Sequence, residues 1–142
     1  MYVVIVGCGK IGYSLTKALS ATKHEVLVID RDHKKCEAIV EELGSVALIG
    51  DGCEIGVLRE AGADRADVLI AVAGLDEDNL VACQLAKHRF GAARVVALVN
   101  VPEHVELFNR LGIDVSVNTT ALLVDRIQED LASLMIEEVR GF

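Results

Sequence analysis

Six residues near the N-terminus, Gly7-Cys8-Gly9-Lys10-Ile11-Gly12, have the G-x-G-x-x-G spacing of a backbone bend that takes up phosphate. Each glycine has its own task. Gly7 permits a tight turn, Gly9 lacks a Cβ so that a pyrophosphate can approach the backbone, and Gly12 lets the next helix sit close to a sheet. A helix that starts at this bend offers free N–H groups and about half a positive charge to the phosphates. Lys10 puts a cation in that first turn, where it opposes the macrodipole unless an anion binds beside it. Asp30 follows Gly12 by 18 residues, at the end of a second apolar run. A carboxylate there accepts hydrogen bonds from adenosine ribose hydroxyls and repels a 2′-phosphate. The chemistry implied is non-covalent binding of an adenine dinucleotide, NAD(H) rather than NADP(H), or of a related adenine nucleotide.

Further candidates are placed by the same logic. Gly50-Asp51-Gly52-Cys53 follows a third apolar run and borders the adenine side. Ala73-Gly74 ends a fourth run, where small residues leave room for the far half of a ligand. Asn79 and Asn100 can hydrogen-bond at the same edge, and Arg31, next to Asp30, completes the candidate set. Each of these also reads as an ordinary turn, cap or packing residue. Catalysis finds little support. His24 and His88 fall on the opposite edge, and His33 and His104 sit in first helical turns, where a capping or solvated role is commoner. No Tyr-x-x-x-Lys, no Ser/His/Asp order and no carboxylate pair with a metal-like spacing occurs. The expectation is a binding domain with no catalytic and no metal site.

The elements that must hold these residues alternate along the chain. Strands are expected at Tyr2–Val6, Glu25–Ile29, Val46–Ile49, Asp67–Val72, Arg94–Val99 and Asp114–Val117. Helices are expected between them. The first carries Ile11, Leu15, Ala18 and Leu19 on one face, the second spans Asp32–Leu43, and a short one spans Glu54–Ala61. A longer one is capped by Asp76 and reaches about Phe90, and another runs from Pro102 to Leu111. Such alternation pairs strands in parallel through right-handed crossovers. The predicted fold is therefore a Rossmann-like, doubly wound parallel α/β sheet of six strands over residues 1–118. Residues 119–142 stand apart. Thr119 or Thr120 can cap a helix through Val139 with Leu123, Ile127, Leu131, Leu134 and Met135 on one side. That face must fold over its own domain or dock on a second subunit.

Composition narrows the classes further. The 142 residues are 52% hydrophobic but only 4% aromatic, which suits buried aliphatic strands. Fourteen basic residues against 22 acidic give a net charge of −8, which argues against nucleic acid as a partner. No apolar run reaches the roughly 18–20 residues of a membrane span, and no secretory signal is read at Met1. Cys8, Cys36, Cys53 and Cys83 have no zinc spacing and read as free thiols of a cytoplasmic protein.

Several stretches are more specific than the glycine bend: V-I-V-G-C-G-K-I-G, V-I-D-R-D, G-D-G, L-R-E-A-G-A-D-R-A-D, D-E-D-N-L-V-A-C-Q-L-A-K and N-V-P-E-H. Over residues 1 to about 135 the chain resembles the nucleotide-binding domain of the regulator-of-potassium-conductance family, the peripheral Trk/Ktr-type subunits of potassium channels and transporters. The resemblance implies binding of NAD(H), or alternatively ATP, ADP or AMP. It also implies assembly as a homodimer or higher ring through a terminal crossover helix, here Thr119–Val139. The membrane would be reached only through a potassium transporter or channel subunit. Ligand positions of the family map onto Gly7–Ile11, Asp30, Asp51, Gly52, Ala73 and Gly74. Two departures stand out. Leu98 occupies the fifth-strand position, two before Asn100, where the family often has an Arg that reaches the phosphates. The second ligand-binding domain of longer members is also missing, so the chain reads as a minimal subunit or a fragment.

Overall fold

The computed structural model describes residues 1–140; the last two residues of the expected C-terminal segment lie outside them. Six strands form one sheet: β1 (Tyr2–Val6), β2 (Glu25–Asp30), β3 (Ala47–Ile49), β4 (Val68–Ala71), β5 (Arg94–Val99) and β6 (Val115–Asn118). Their order is β3-β2-β1-β4-β5-β6, with every pairing parallel. The direction of winding reverses between β1 and β4, which is the switch point where open α/β sheets bind ligands.

All five residues of β1 are buried, because alternate side chains enter two different cores. Tyr2, Val4 and Val6 point to one face, against Leu58 and Ala61, Ala82, Cys83 and Ala86, and Phe108. Val3 and Ile5 point to the other, with Val28 and Ile39. The helices divide accordingly. α1 (Lys10–Ser20) and α2 (His33–Leu43) cover the second face, and α3 (Ile55–Glu60), α4 (Asp76–Gln84) and α5 (Val105–Arg110) cover the first.

Three local readings are corrected. The helix expected from Asp76 to Phe90 is α-helical only to Gln84 and closes with a π-helical segment, Leu85–Arg89. Lys87 on that segment reaches the carbonyl of Gly112 at 2.6 Å and Asp114 at 3.2 Å, which ties the widened turn to the approach to β6. Asp76 does not cap its own helix; Leu75 is the N-cap, and the Asp76 carboxylate points to the loop after β5. Finally, α6 (Thr119–Arg140) is capped by neither threonine. Asn118 Oδ1 accepts from the Ala121 N–H at 2.8 Å, and Asn118 Nδ2 donates to the Val99 carbonyl at 3.0 Å. The carboxamide thus fixes how α6 leaves the sheet.

α6 does not fold back over its own domain. It meets the body chiefly at β6. Leu123, Ile127, Leu131, Leu134 and Met135 are between 53% and 62% exposed, so the whole apolar stripe faces away from the domain.

Candidate nucleotide-binding cleft

The glycine bend is built by close approach. Gly7 has φ +107° and donates its N–H to the Ile29 carbonyl at 2.8 Å. A Cβ on Gly7 would lie 2.8 Å from the Ala73 nitrogen, and one on Gly12 would lie 1.8 Å from the Gly7 carbonyl oxygen. Both positions therefore have to be glycine for α1 to sit against β1 and β4. Gly9 differs: a Cβ there meets nothing within 4 Å. It would enter open space over the cleft, so nothing in the protein itself excludes a side chain there. Gly9 is the N-cap of α1, and no side chain caps the helix or places an acid in its first turn. By contrast, α2 is capped by Asp32, which accepts from the N–H groups of Lys34 and Lys35. One helix start is closed by the protein itself. The other has no such side chain, and its first N–H groups face the cleft-lining glycine bend.

Around the bend the sheet edge opens into a cleft of about 530 Å³, a size typical of small-molecule sites. It gathers Gly7, Cys8, Gly9, Lys10, Ile11, Asp30, Arg31, Asp51, Gly52, Cys53, Ala73 and Gly74 from four separate loops. Asp30 holds the loops together: Oδ2 accepts from the Cys8 N–H at 2.7 Å and Oδ1 from the Asp32 N–H at 2.8 Å. Each oxygen keeps a further lone pair for a ribose hydroxyl. Asp51 accepts from the Cys53 N–H at 2.9 Å, and its other oxygen lies 3.9 Å from Arg31. Burial, reinforced by the neighbouring carboxylates, pushes the thiols of Cys8 and Cys53 up to about 11. At neutral pH they are protonated and poor nucleophiles.

Three expected residues do not line the cleft, and each acts behind it. Gly12 is packing, as above. Asn79 is fully buried, and its carboxamide is spent on the wall: Oδ1 accepts from the Ala73 N–H at 2.7 Å, while Nδ2 donates to the carbonyls of Ala73 and Leu98, each at 3.0 Å. A ligand contact from Asn79 is therefore replaced by a positioning role. Asn100 donates to the Gly74 carbonyl at 3.2 Å and to Asp76 at 3.1 Å. Asp76 is the anchor of this clasp. Its carboxylate also accepts from the N–H groups of Asn100 and Val101 at 2.7 and 3.0 Å and contacts His104 Nδ1 at 2.8 Å. Burial opposes its ionisation, yet these donors outweigh burial and hold the carboxyl below the ordinary aspartate range.

The cleft also contains residues missed from sequence, notably Lys35, Leu75 and Asp78. Lys35 was open to the reasoning applied to Lys10, since it too sits in a first helical turn beside the glycine bend. Leu75 and Asp78 carry no motif signal of their own; the packing of α4 behind β4 brings them to the cleft. None of the four histidines lines the cleft. His24 lies 3.3 Å from the N-terminal amine, and His33 pairs with Glu37 at 3.0 Å. Among the described residues no group of His, Cys, Asp and Glu is arranged to hold a metal ion.

A doubly wound parallel sheet with an uncapped glycine bend at its switch point defines a Rossmann-like domain of the nucleotide-binding kind. The sequence then narrows the class. Residues 3–119 match the TrkA-N domain, and the chain belongs to that family. It is 37% identical over 114 residues to a Trk system potassium uptake protein TrkA homolog of Methanothermobacter thermautotrophicus, covering 80% of this chain and 52% of the relative. It is 38% identical over 143 residues to the Trk system potassium uptake protein TrkA of Mycobacterium tuberculosis, covering 95% of this chain and 64% of that one. The chain thus spans about half to two thirds of the length of these relatives.

Among solved structures, the TrkA-N domain of the Escherichia coli inner membrane protein ybaL shares the fold, with TM-score 0.85, 18% identity and coverage of 92% and 96% of the two chains. The GsuK channel bound to NAD superposes with TM-score 0.76 at 26% identity, covering 96% of this chain and 25% of that one. GsuK has also been solved bound to ADP, with TM-score 0.76, 26% identity and coverage of 89% and 32%. No helix among the described residues is long and apolar enough to cross a membrane.

Proposed function

We propose that this chain is the nucleotide-sensing domain of a regulatory subunit that controls a potassium transporter or channel. An adenine nucleotide, NAD(H) or alternatively ATP, ADP or AMP, lies across the switch point with its phosphates on Gly7–Gly12. The observation that carries the reading is the open start of α1, where Gly9 exposes its backbone and no side chain closes the helix. The family supplies the context, since the TrkA relatives are potassium uptake proteins and the channel neighbour has been seen with NAD and with ADP.

The role is binding rather than turnover. The cleft is lined by no histidine, and its two thiols are held protonated. A signal then needs one ligand state to favour one arrangement of subunits. α6 is the element suited to carry it, joining two copies through its exposed apolar stripe in a homodimer or ring on the cytoplasmic side of a membrane partner. Isothermal calorimetry of the chain with NAD, NADH, ADP, AMP and ATP tests the reading. At least one should bind with a single site per chain, and Asp30→Ala should weaken it by roughly 1–3 kcal/mol through lost hydrogen bonds to the ribose and to the loop. Unchanged affinity in that variant would reject the pose, and no binding by any of the five would reject the function.

A further inference from the structure

The sheet ends at β3 with an open edge. In a parallel ladder, alternate residues turn their backbone groups to opposite sides of the strand. The Val46 carbonyl accepts from the Val28 N–H at 2.9 Å, and the Gly50 N–H donates to the Asp30 carbonyl at 3.0 Å. Val46, Leu48 and Gly50 therefore face β2, and Ala47 and Ile49 turn their N–H and C=O groups outward. No strand lies beyond β3 to take them. Natural edges are commonly blunted by a charge or a proline in the strand. β3 reads Ala-Leu-Ile and has neither.

Beside this edge α2 leaves a groove of about 350 Å³, lined by Cys36, Glu37, Val40, Glu41, Ala47 and Ile49. It shares no lining residue with the nucleotide cleft. Its interior is apolar: Cys36 is buried, while Val40 and Ile49 are left 41% and 47% exposed. Its rim is acidic. Glu37 and Glu41 stand one turn apart on α2 and are both exposed. Glu37 contacts the exposed His33 ring at 3.0 Å, and among the described residues no ion pair engages Glu41.

These features define an occupant. Free backbone groups in a row call for an extended chain that adds as a further strand. The groove takes an aliphatic side chain from that strand, and the carboxylates attract Lys or Arg two positions away on the same face. A second copy of this edge supplies the backbone but brings its own carboxylates to the rim, and like charges oppose that pairing.

We propose that the β3 edge and the α2 groove beside it form a docking surface for an extended aliphatic segment of a partner protein, flanked by Lys or Arg. The surface stands whether or not a nucleotide binds at the glycine bend. Cytoplasmic loops of membrane proteins are rich in Lys and Arg, so the transporter or channel partner proposed above carries segments of this chemistry.

Amide-resolved NMR of the 15N-labelled full chain tests the surface with the capped peptide Lys-Thr-Val-Thr-Lys. The Ala47 and Ile49 amides should shift saturably, with a dissociation constant near about 1 mM, and added salt should weaken the response. Glu-Thr-Val-Thr-Glu, and the basic peptide with its three central amides methylated, should each bind at least about fivefold more weakly. Glu37→Lys combined with Glu41→Lys, two exposed changes, should reverse the preference between the acidic and basic peptides. Thermal melts check that this variant stays folded. Equal responses to the acidic and basic peptides, or no shift of the Ala47 and Ile49 amides up to about 5 mM peptide, would overturn the proposal. Shifts of those amides on dilution of the chain alone would also overturn it, by assigning the edge to a second copy.

Discussion

The three glycines of the bend have the same residue type but different physical reasons, and mutation should separate them. Gly12→Ala places a methyl carbon against the Gly7 carbonyl, at 1.8 Å before any relaxation. It should destabilise the fold by about 1–3 kcal/mol, as overpacking does. Gly9→Val adds a Cβ that meets no protein atom within 4 Å. It should leave the thermal midpoint nearly unchanged and still lower nucleotide affinity at least tenfold, about 1.4 kcal/mol. A melt and a titration on each variant check the pair, and a stable Gly9→Val that binds normally would mean that phosphates do not approach this backbone. The packing role of Gly12 was legible in the sequence, because it depends on Gly7 a few positions away, unlike the approach of Gly7 to Ala73. The partners of Asp30 and Asn79 were not. Asp30 meets the Cys8 N–H only because Val6 pairs with Ile29 across the sheet, and Asn79 meets Leu98 only after α4 has packed on β5. Local patterns identify the polar side chain; they do not say whether a ligand or the protein's own backbone will use it.

At the scale of elements, the loops after β4 and β5 are joined by a buried carboxylate, and this gives them a pH dependence. The carboxyl of Asp76 is held below its ordinary value in the folded chain, against the penalty of burial, by the Asn100 and Val101 N–H groups and His104. A depressed folded value means stability that is fully present above the unfolded aspartate value of about 3.9 and is lost as pH falls below it. Asp114, lowered first by the Val95 N–H and then by Lys87, acts in the same direction. Asp76→Asn should cost about 2–3 kcal/mol at pH 7, where charged hydrogen bonds are lost, and should flatten the fall in stability below pH 4. Denaturant melts from pH 7 to pH 3 measure both, and an unchanged slope in acid would mean that the clasp carries no stability. The element boundaries themselves were largely readable, since aliphatic runs and 3.6-residue periods alternate cleanly from Tyr2 to Asn118. The π-helical close of α4 was not, because it follows from Lys87 reaching Gly112 and Asp114, a contact across 25 residues or more. The cap of α6 was misplaced for a related reason: Asn118, the last strand residue, is also held by the Val99 carbonyl.

At the scale of the whole molecule, an open six-stranded sheet domain carries a 22-residue helix whose apolar side chains from Leu122 to Ile136 its own body does not cover. The sequence showed that α6 has an apolar stripe, but amphipathicity alone cannot say against which surface a stripe is buried. If a second copy covers it, Ile127→Glu combined with Leu131→Glu should convert a dimer to a monomer by light scattering without changing nucleotide affinity; an unchanged mass would put the subunit contact elsewhere. The sheet, by contrast, was readable as a whole, because alternating strands and helices admit few chiral connections. What unites the account is the edge of that sheet, where β1, β2 and β4 end together and the start of α1 stands open. Amide-resolved NMR of the 15N-labelled chain during titration with NAD+ tests this most directly. The amides of Gly9, Lys10, Ile11 and Gly12 should shift first and furthest, in proportion to occupancy. Saturable binding that leaves those four amides unmoved would contradict the account.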